Sequence, residues 1–194
     1  MSQPAVVHEQ EGITLAPAGT YVFDEAHTEI GFVGRHMLSK MRGRFTEFDG
    51  QIFIGETPEE SHVEVEIDAA SIWTNLEMRD DHLRSGDFLE AETYPKLTFT
   101  STAVRPTGGN TFDLVGDLTI KDATHEVVLN AEFLGAGPAP NGGTVAAFSA
   151  KTEIEREAWD MTWNMAVETG GLLVGKKVLI EIDVEAILPD GDPE

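Results

Sequence analysis

The chain has 194 residues and a net charge of −22, from 35 acidic against 13 basic side chains. A field of that sign repels phosphate backbones and anionic membrane surfaces, which argues against nucleic acid as a partner. Cysteine is absent, excluding disulfides, thiolate nucleophiles and Cys-ligated metals, and 41% hydrophobic residues over this length suit one folded domain with a real core.

Residues 1–18 read as a flexible N-terminal segment. The opening MSQPAVVHEQEGI lacks a basic region followed by an apolar run. The expectation is therefore no secretory signal and a cytoplasmic location. No run approaches the length of a membrane-spanning helix, so no stable membrane insertion is expected.

From residue 19 onward the apolar period is close to two, the strand signal. Ile30, Phe32, Gly34 and His36 share one face of segment 28–37. Segment 41–54 is a second long strand region, bent or broken near Gly50. Val63, Val65 and Ile67 alternate with acids. A short charged helix over about 76–85 then interrupts the strands. Asn75 suits its N-terminal cap, Glu77, Asp80 and Asp81 complement the dipole at its start and Arg84 at its end, and Gly86 suits a left-handed C-terminal residue. Arg79 and Asp80 could pin this helix to the rest of the domain through a charge-assisted bond.

Pro95 opens the next strand, where Leu97 and Phe99 alternate with threonines. Phe112 to Ile120, Val127 to Phe133, Ala146 to Ile154 and Val178 to Ala186 alternate in the same way, with turn residues between. Residues 189–194 form an acidic tail. Eight amphipathic strands predict an all-β fold, an eight-stranded antiparallel up-and-down barrel spanning 19–188. Closure is favoured over a sandwich because it removes the sheet edges.

The inward set mixes small residues (Gly34, Gly116, Ala131, Ala146, Ala150, Ala186) with Phe32, Phe99, Phe112, Phe133 and Phe148. This mixture fits an apolar cavity and also an interlocked solid core, and both readings stand at this point. Trp159, Trp163 and the loop Leu172-Leu173-Val174 read either as a mouth or as a plug. The histidines show no close metal-ligand spacing, although His27, His36 and His82 could meet in space.

The motifs Tyr21-x-x-Asp24-x-x-His27, Phe32-x-x-x-His36, Gly43-x-Phe45, RDDHLRSGDF at 79–88, YPKLTFTST at 94–102, GDLTIKDATHEVVL at 116–129 and ETGGLLVGKKVLIEIDVEA at 168–186 occur in order. With them the chain resembles the YceI-like family of lipocalin-like polyisoprenoid-binding proteins, over about residues 19–187. It departs from the family pattern after Arg156, where Glu157-Ala158-Trp159-Asp160 stands.

The resemblance implies a non-enzymatic homodimer that carries or stores an amphiphilic isoprenoid lipid, of the polyprenyl phosphate or isoprenoid quinone type. It implies no cofactor, no metal and no catalytic residue. The residues expected around the ligand are Phe32, His36, Phe45, Trp73, His82, Phe99, Phe112, Phe133, Phe148, Trp159, Trp163 and Leu173. Arg35, Arg42, Arg44 and Arg79 are the candidates for a polar head group, since guanidinium suits phosphate. Two alternatives stay open: sequestration of assorted hydrophobic compounds, and a metal-assisted enzyme acting on an apolar isoprenoid substrate.

Overall fold

The computed structural model describes residues 8–10, 12–140, 142–168 and 170–189. A small hairpin of β1 (His8–Gln10) and β2 (Ile13–Leu15) precedes the barrel. The barrel strands follow as β3 (Gly19–Phe23), β4 (Glu29–His36), β5 (Ser39–Phe45), β6 (Phe48–Ile54) and β7 (His62–Asp68). After β7 the chain inserts the two-residue β8 (Ile72–Trp73) and the helix α1 (Glu77–Arg84). The wall is completed by β9 (Lys96–Gly108), β10 (Thr111–Ile120), β11 (Ala123–Pro138), β12 (Thr144–Glu155) and β13 (Lys177–Leu188).

Two pairs of these strands act as one. β13 pairs antiparallel with β3 at Ala186–Ile187 and with β4 at Leu179–Asp183, so β3 and β4 are halves of one long strand interrupted at 24–28. β5 pairs with β4 and β6 with β3, so β5 and β6 are likewise one strand interrupted at 46–47. Counted this way, eight strands each pair with their sequence neighbours, and β12–β13 and β13–β3/β4 close the ring. The expected eight-stranded antiparallel up-and-down barrel is the observed fold.

Both interruptions are tied down. At the first, Asp24 N–H and Thr28 Oγ1–H donate to Glu185 O (2.8 and 3.0 Å). At the second, Thr46 N–H donates to Ser71 O (3.2 Å) and Ser71 Oγ–H donates to Asp68 O (2.7 Å). The break expected at Gly50 therefore falls four residues earlier. Gly50 lies inside β6, where the Phe23 ring packs on its Cα and a Cβ would stand 2.4 Å from ring carbons.

The helix boundaries also differ from expectation at both ends. Asn75 has φ +63° and Leu76 occupies the cap with no side-chain bond, while a side-chain network ties the start of the helix back to Thr74. Thr74 N–H donates to Asp80 Oδ1 (2.9 Å), and the Thr74 hydroxyl donates to the same oxygen. Arg79 Nε–H and Nη2–H donate to Thr74 Oγ1 and O (2.6 and 2.7 Å). Arg79 and Asp80 do make charged hydrogen bonds, but these tie the helix to Thr74 just before it rather than to a barrel strand. At the C-terminus Ser85, not Gly86, closes the helix: its N–H and Oγ–H both reach His82 O (3.1 and 2.7 Å).

Leu15 and Ala16 are buried in the main core, so ordered packing begins before residue 19, inside the segment expected to be loose. Residues 190–194, most of the expected acidic tail, lie outside the described residues. Among the described residues no helix is long and apolar enough to cross a membrane.

Candidate functional site

The barrel wall surrounds an apolar cavity of about 290 Å³. Inward side chains of the wall line it, among them Phe32, Phe45, Phe99, Phe112, Phe133 and Phe148. Of the small inward residues, Gly34, Ala131 and Ala150 face this space. Gly116, Ala146 and Ala186 do not: the Phe99 ring fills the room above Gly116, and the two alanines are fully buried in packed wall. The interior is thus part cavity and part interlocked core, and the division follows from which small residue has a ring beside it.

The two ends of the cavity are closed differently. One end is made from short barrel connections, with Leu15, Ala16, Pro58 and Ser61 on its lining. There Tyr21 is fully buried and its hydroxyl donates to Pro17 O (2.9 Å). Burial pushes its pKa up to about 12. Ser61 Oγ–H donates to Thr57 O and accepts from Gly55 N–H (3.3 and 3.1 Å), drawing the 55–61 loop together.

The other end is closed by inserted segments, α1 with its following turn (Leu83, Phe88, Leu89) and the connection from β12 to β13 (Arg156, Met161, Val174, Gly175). Arg156 organises this end. It is 3% exposed, and Nε–H donates to Gly175 O (2.9 Å), Nη2–H to Val174 O (3.5 Å) and Nη1–H to Met161 O. Its guanidinium carbon stands 5.8 Å from the centre of the Phe88 ring. Burial lowers its pKa, partly offset by the field of Glu157, yet an arginine stays charged. Its hydrogen-bond partners are carbonyl dipoles, so a full positive charge sits on an otherwise apolar lining.

The sequence reading named Arg156 only as a landmark of the family pattern and gave it no place at the ligand, but the strand phase carries that signal. Phe148, Ala150, Thr152 and Ile154 occupy alternate positions of β12, and continuing that period by two residues reaches Arg156 on the inner face.

Among the four arginines expected near a head group, Arg35 touches the cavity at its rim and is otherwise exposed. Arg42 and Arg44 stand on the outer face, paired with Glu181 (2.9 Å) and Glu29 (3.4 Å), because they alternate with the inward Met41, Gly43 and Phe45. Arg79 is committed to Thr74. Trp73 is exposed and lies under the Arg44 guanidinium at 4.9 Å; the short β8 turns it away from the barrel interior.

Trp159 is a plug. It is buried, donates from Nε1 to Leu118 O (3.1 Å) and meets His125 edge-on. Trp163 packs behind the lining, its ring against His82 (4.5 Å) and Phe88 (5.6 Å). His82 also bonds Asp87 (2.8 Å), and Leu173 lies in the outer loop with its carbonyl accepting from Met37 N–H (2.8 Å). His36 is exposed and bridges to Val174. Lining residues that the sequence reading passed over include Phe23, Phe88 and the aliphatic row Val178, Ile180, Ile182 and Val184.

The three histidines do not converge. His27 lies at the 24–28 interruption and bonds Asp24 (2.9 Å), His36 sits at the far end of β4, and His82 is on α1. With Glu185, Asp24 and His27 do place three ligand-type atoms within 4.8 Å of one another. The Asp24–His27 hydrogen bond lowers the Asp24 pKa and raises that of His27.

A closed antiparallel barrel around an apolar cavity is the architecture of the lipocalin type, in which eight strands leave room for a small ligand. The profile of the YceI-like domain matches residues 21–186, and the chain belongs to that family. It is 38% identical over 167 residues to a UPF0312 protein of Staphylococcus epidermidis, covering 84% of this chain and 94% of that one. A UPF0312 protein of Vibrio cholerae is 40% identical over 144 residues, 72% of this chain and 76% of its own. Among solved structures, Burkholderia cenocepacia BcnA superposes with a TM-score of 0.73 at 27% identity, covering 84% of this chain and 98% of that chain. A polyisoprenoid binding domain from Saccharophagus degradans, implicated in plant cell wall breakdown, shares the fold with a TM-score of 0.64 at 15% identity, covering 89% of this chain and 100% of its own.

Proposed function

We propose that this protein binds an amphiphilic isoprenoid lipid, of the polyprenyl phosphate or isoprenoid quinone type, and carries or stores it. The tail occupies the barrel cavity and the polar head lies at the end that holds Arg156 and Arg35. The observation that carries this reading is the apolar space of about 290 Å³ inside the barrel with a buried arginine at one end. The polyisoprenoid-binding neighbour from S. degradans, with the same fold, supports the same ligand class.

Magnitudes fit the ligand. An apolar cavity of about 150 Å³ takes a benzene-sized guest; twice that volume takes roughly a dozen carbons, or two to three isoprene units. Burying these gives about 10 kcal/mol gross at about 0.8 kcal/mol per CH₂, before the ordering costs of association. A longer tail extends past the inserted helix and loop or displaces them. An apolar wall discriminates weakly between tails that differ by a methyl group, so the polar end sets selectivity. A full charge at that end favours an anionic or carbonyl-bearing head over an alkane.

The test fills the cavity without touching the wall's hydrogen bonds. Ala150→Phe places a ring in the empty space. Native mass spectrometry with a panel of polyprenyl phosphates, isoprenoid quinones and straight-chain fatty acids should show isoprenoid uptake by the parent protein, lost in the variant at unchanged melting temperature. Uptake that survives Ala150→Phe overturns the cavity assignment. Equal uptake of the whole panel would replace the isoprenoid reading by general sequestration of hydrophobic compounds.

A further inference from the structure

The β4–β5 hairpin breaks the charge pattern of the whole chain. Residues 30–46 contain no acid at all in a protein with 35, yet hold Arg35, Lys40, Arg42 and Arg44, four of its 13 basic residues. Arg42 and Arg44 are neutralised by Glu181 and Glu29 further down the strands. Arg35 and Lys40, nearest the tip, have no carboxylate within 4 Å among the described residues.

The tip itself is unusual for a two-residue hairpin. His36 pairs with Ser39, leaving Met37 and Leu38 as the connection. Such turns favour glycine or asparagine, because one or both central residues take positive φ. Here methionine takes φ +54° and the next residue is a leucine 95% exposed to solvent. Strain and an exposed large apolar side chain at the same two positions point to a function rather than to folding.

Met165 and Leu172, both exposed, extend the apolar surface. The loop that carries them is bonded to the tip through Met37 N–H to Leu173 O (2.8 Å) and Leu173 N–H to Met165 O (2.9 Å). Beneath this rim, Gly175 N–H donates to Arg35 O (2.9 Å), and Gly34, Arg35, Val174 and Gly175 line the cavity. The apolar, cationic tip is therefore the outer edge of a bonded seam between β4 and the 165–175 loop, and residues of that seam line the binding space.

We propose that this tip docks the protein on the surface of a lipid bilayer that contains anionic head groups, so that the seam faces the layer from which cargo is taken or to which it is returned. Met37 and Leu38 enter the boundary between head groups and acyl chains, and Arg35 and Lys40 meet lipid phosphates. The remaining surface, strongly acidic, is repelled by the same bilayer. Contact is therefore tip-first, shallow and weakened by salt. The cargo part of this proposal rests on the lipid-binding reading above; the docking part does not.

Two variants separate the two. Leu38→Glu and Lys40→Glu alter exposed side chains, so the barrel stays folded. Flotation of the full-length protein with cargo-free vesicles of phosphatidylcholine, with and without phosphatidylglycerol, reads docking whatever the cavity binds. The expected result is binding only to the anionic vesicles at low salt, lowered about tenfold or more in each variant. Transfer of a polyprenyl phosphate out of vesicles should slow in parallel, while uptake of the same lipid from detergent stays unchanged. Flotation equal in the parent protein and Leu38→Glu overturns the proposal. So does a parent protein that never floats but forms a dimer dissolved by Leu38→Glu, which would make the tip an interface between copies. Failure of uptake from detergent in every form would instead sink the lipid-binding reading and leave the docking result standing on its own.

Discussion

The two ends of the barrel hold the same cavity closed by opposite means. At the end bearing Tyr21, the connections are short and the closing residues belong to the strands or to turns next to them. At the end bearing Arg156, the chain spends the insertion between β7 and β9 and the long connection between β12 and β13 on a cover. The first end has a buried hydroxyl bonded to a backbone carbonyl and a knitted loop. The second has a buried charge held by carbonyls, with exposed Met37, Leu38, Met165 and Leu172 around it. Segments joined by few apolar contacts and exposed backbone bonds open at the least cost. On the proposed lipid-binding reading, the first end serves stability and the second is where a ligand would pass.

The largest effect is expected at the covered end. Arg156→Leu keeps the volume of the side chain roughly but leaves the carbonyls of Met161 and Gly175 without this donor, while Val174 O keeps the bond from Asn164 Nδ2–H (2.7 Å). At about 1–3 kcal/mol for each unsatisfied buried group, the loss should reach about 3 kcal/mol in denaturant melts. Limited proteolysis should then cut within 157–176 before the strands are touched. Cleavage first at the 55–61 loop would reverse the comparison.

The sealed end should show itself at high pH. The Tyr21 pKa is raised from 10.0 to about 12 by burial. The unfolded chain therefore ionises first, and the contribution is complete below pH 10 and lost as pH rises through 12. A shift of that size corresponds to about 3 kcal/mol of stability lost across the window. Tyr21→Phe should remove this part of the alkaline loss, at a cost near neutrality of about 1 kcal/mol for the bond to Pro17. An unchanged alkaline profile in Tyr21→Phe would place the sensitivity elsewhere.

The smallest effect concerns the helix on the covered end. Gly86 has open space around its Cα and does not adopt positive φ, so Gly86→Ala should change stability by less than about 0.5 kcal/mol. A loss of about 1 kcal/mol, as for a left-handed cap, would restore the role the sequence suggested for it.

Period-two alternation made the wall legible, including the inward phenylalanines at 32, 45, 99, 112, 133 and 148. The cavity was not legible, because Gly116 and Ala131 are equivalent in a pattern and differ only in whether the Phe99 ring lies above them. The outward turn of Trp73 depends on a two-residue strand pairing with Arg44 and Phe45, which no local signal announces. The break at 46–47 escaped notice for a similar reason: glycine marks flexibility, but Gly50 is needed for a close approach of Phe23 rather than a bend. Arg156 was readable in the phase of β12 and was obscured by the tryptophans that follow it.

The central claim is that the apolar space inside the barrel holds a lipid with its polar end near Arg156. Mass spectrometry of an organic extract from the purified protein, beside its intact native mass, tests this most directly. The account predicts an isoprenoid lipid with an anionic or carbonyl-bearing head, stoichiometric with the chain and absent from Ala150→Phe. Folded protein that yields no lipid, and takes up none of the polyprenyl phosphates, isoprenoid quinones or fatty acids offered to it, would contradict it.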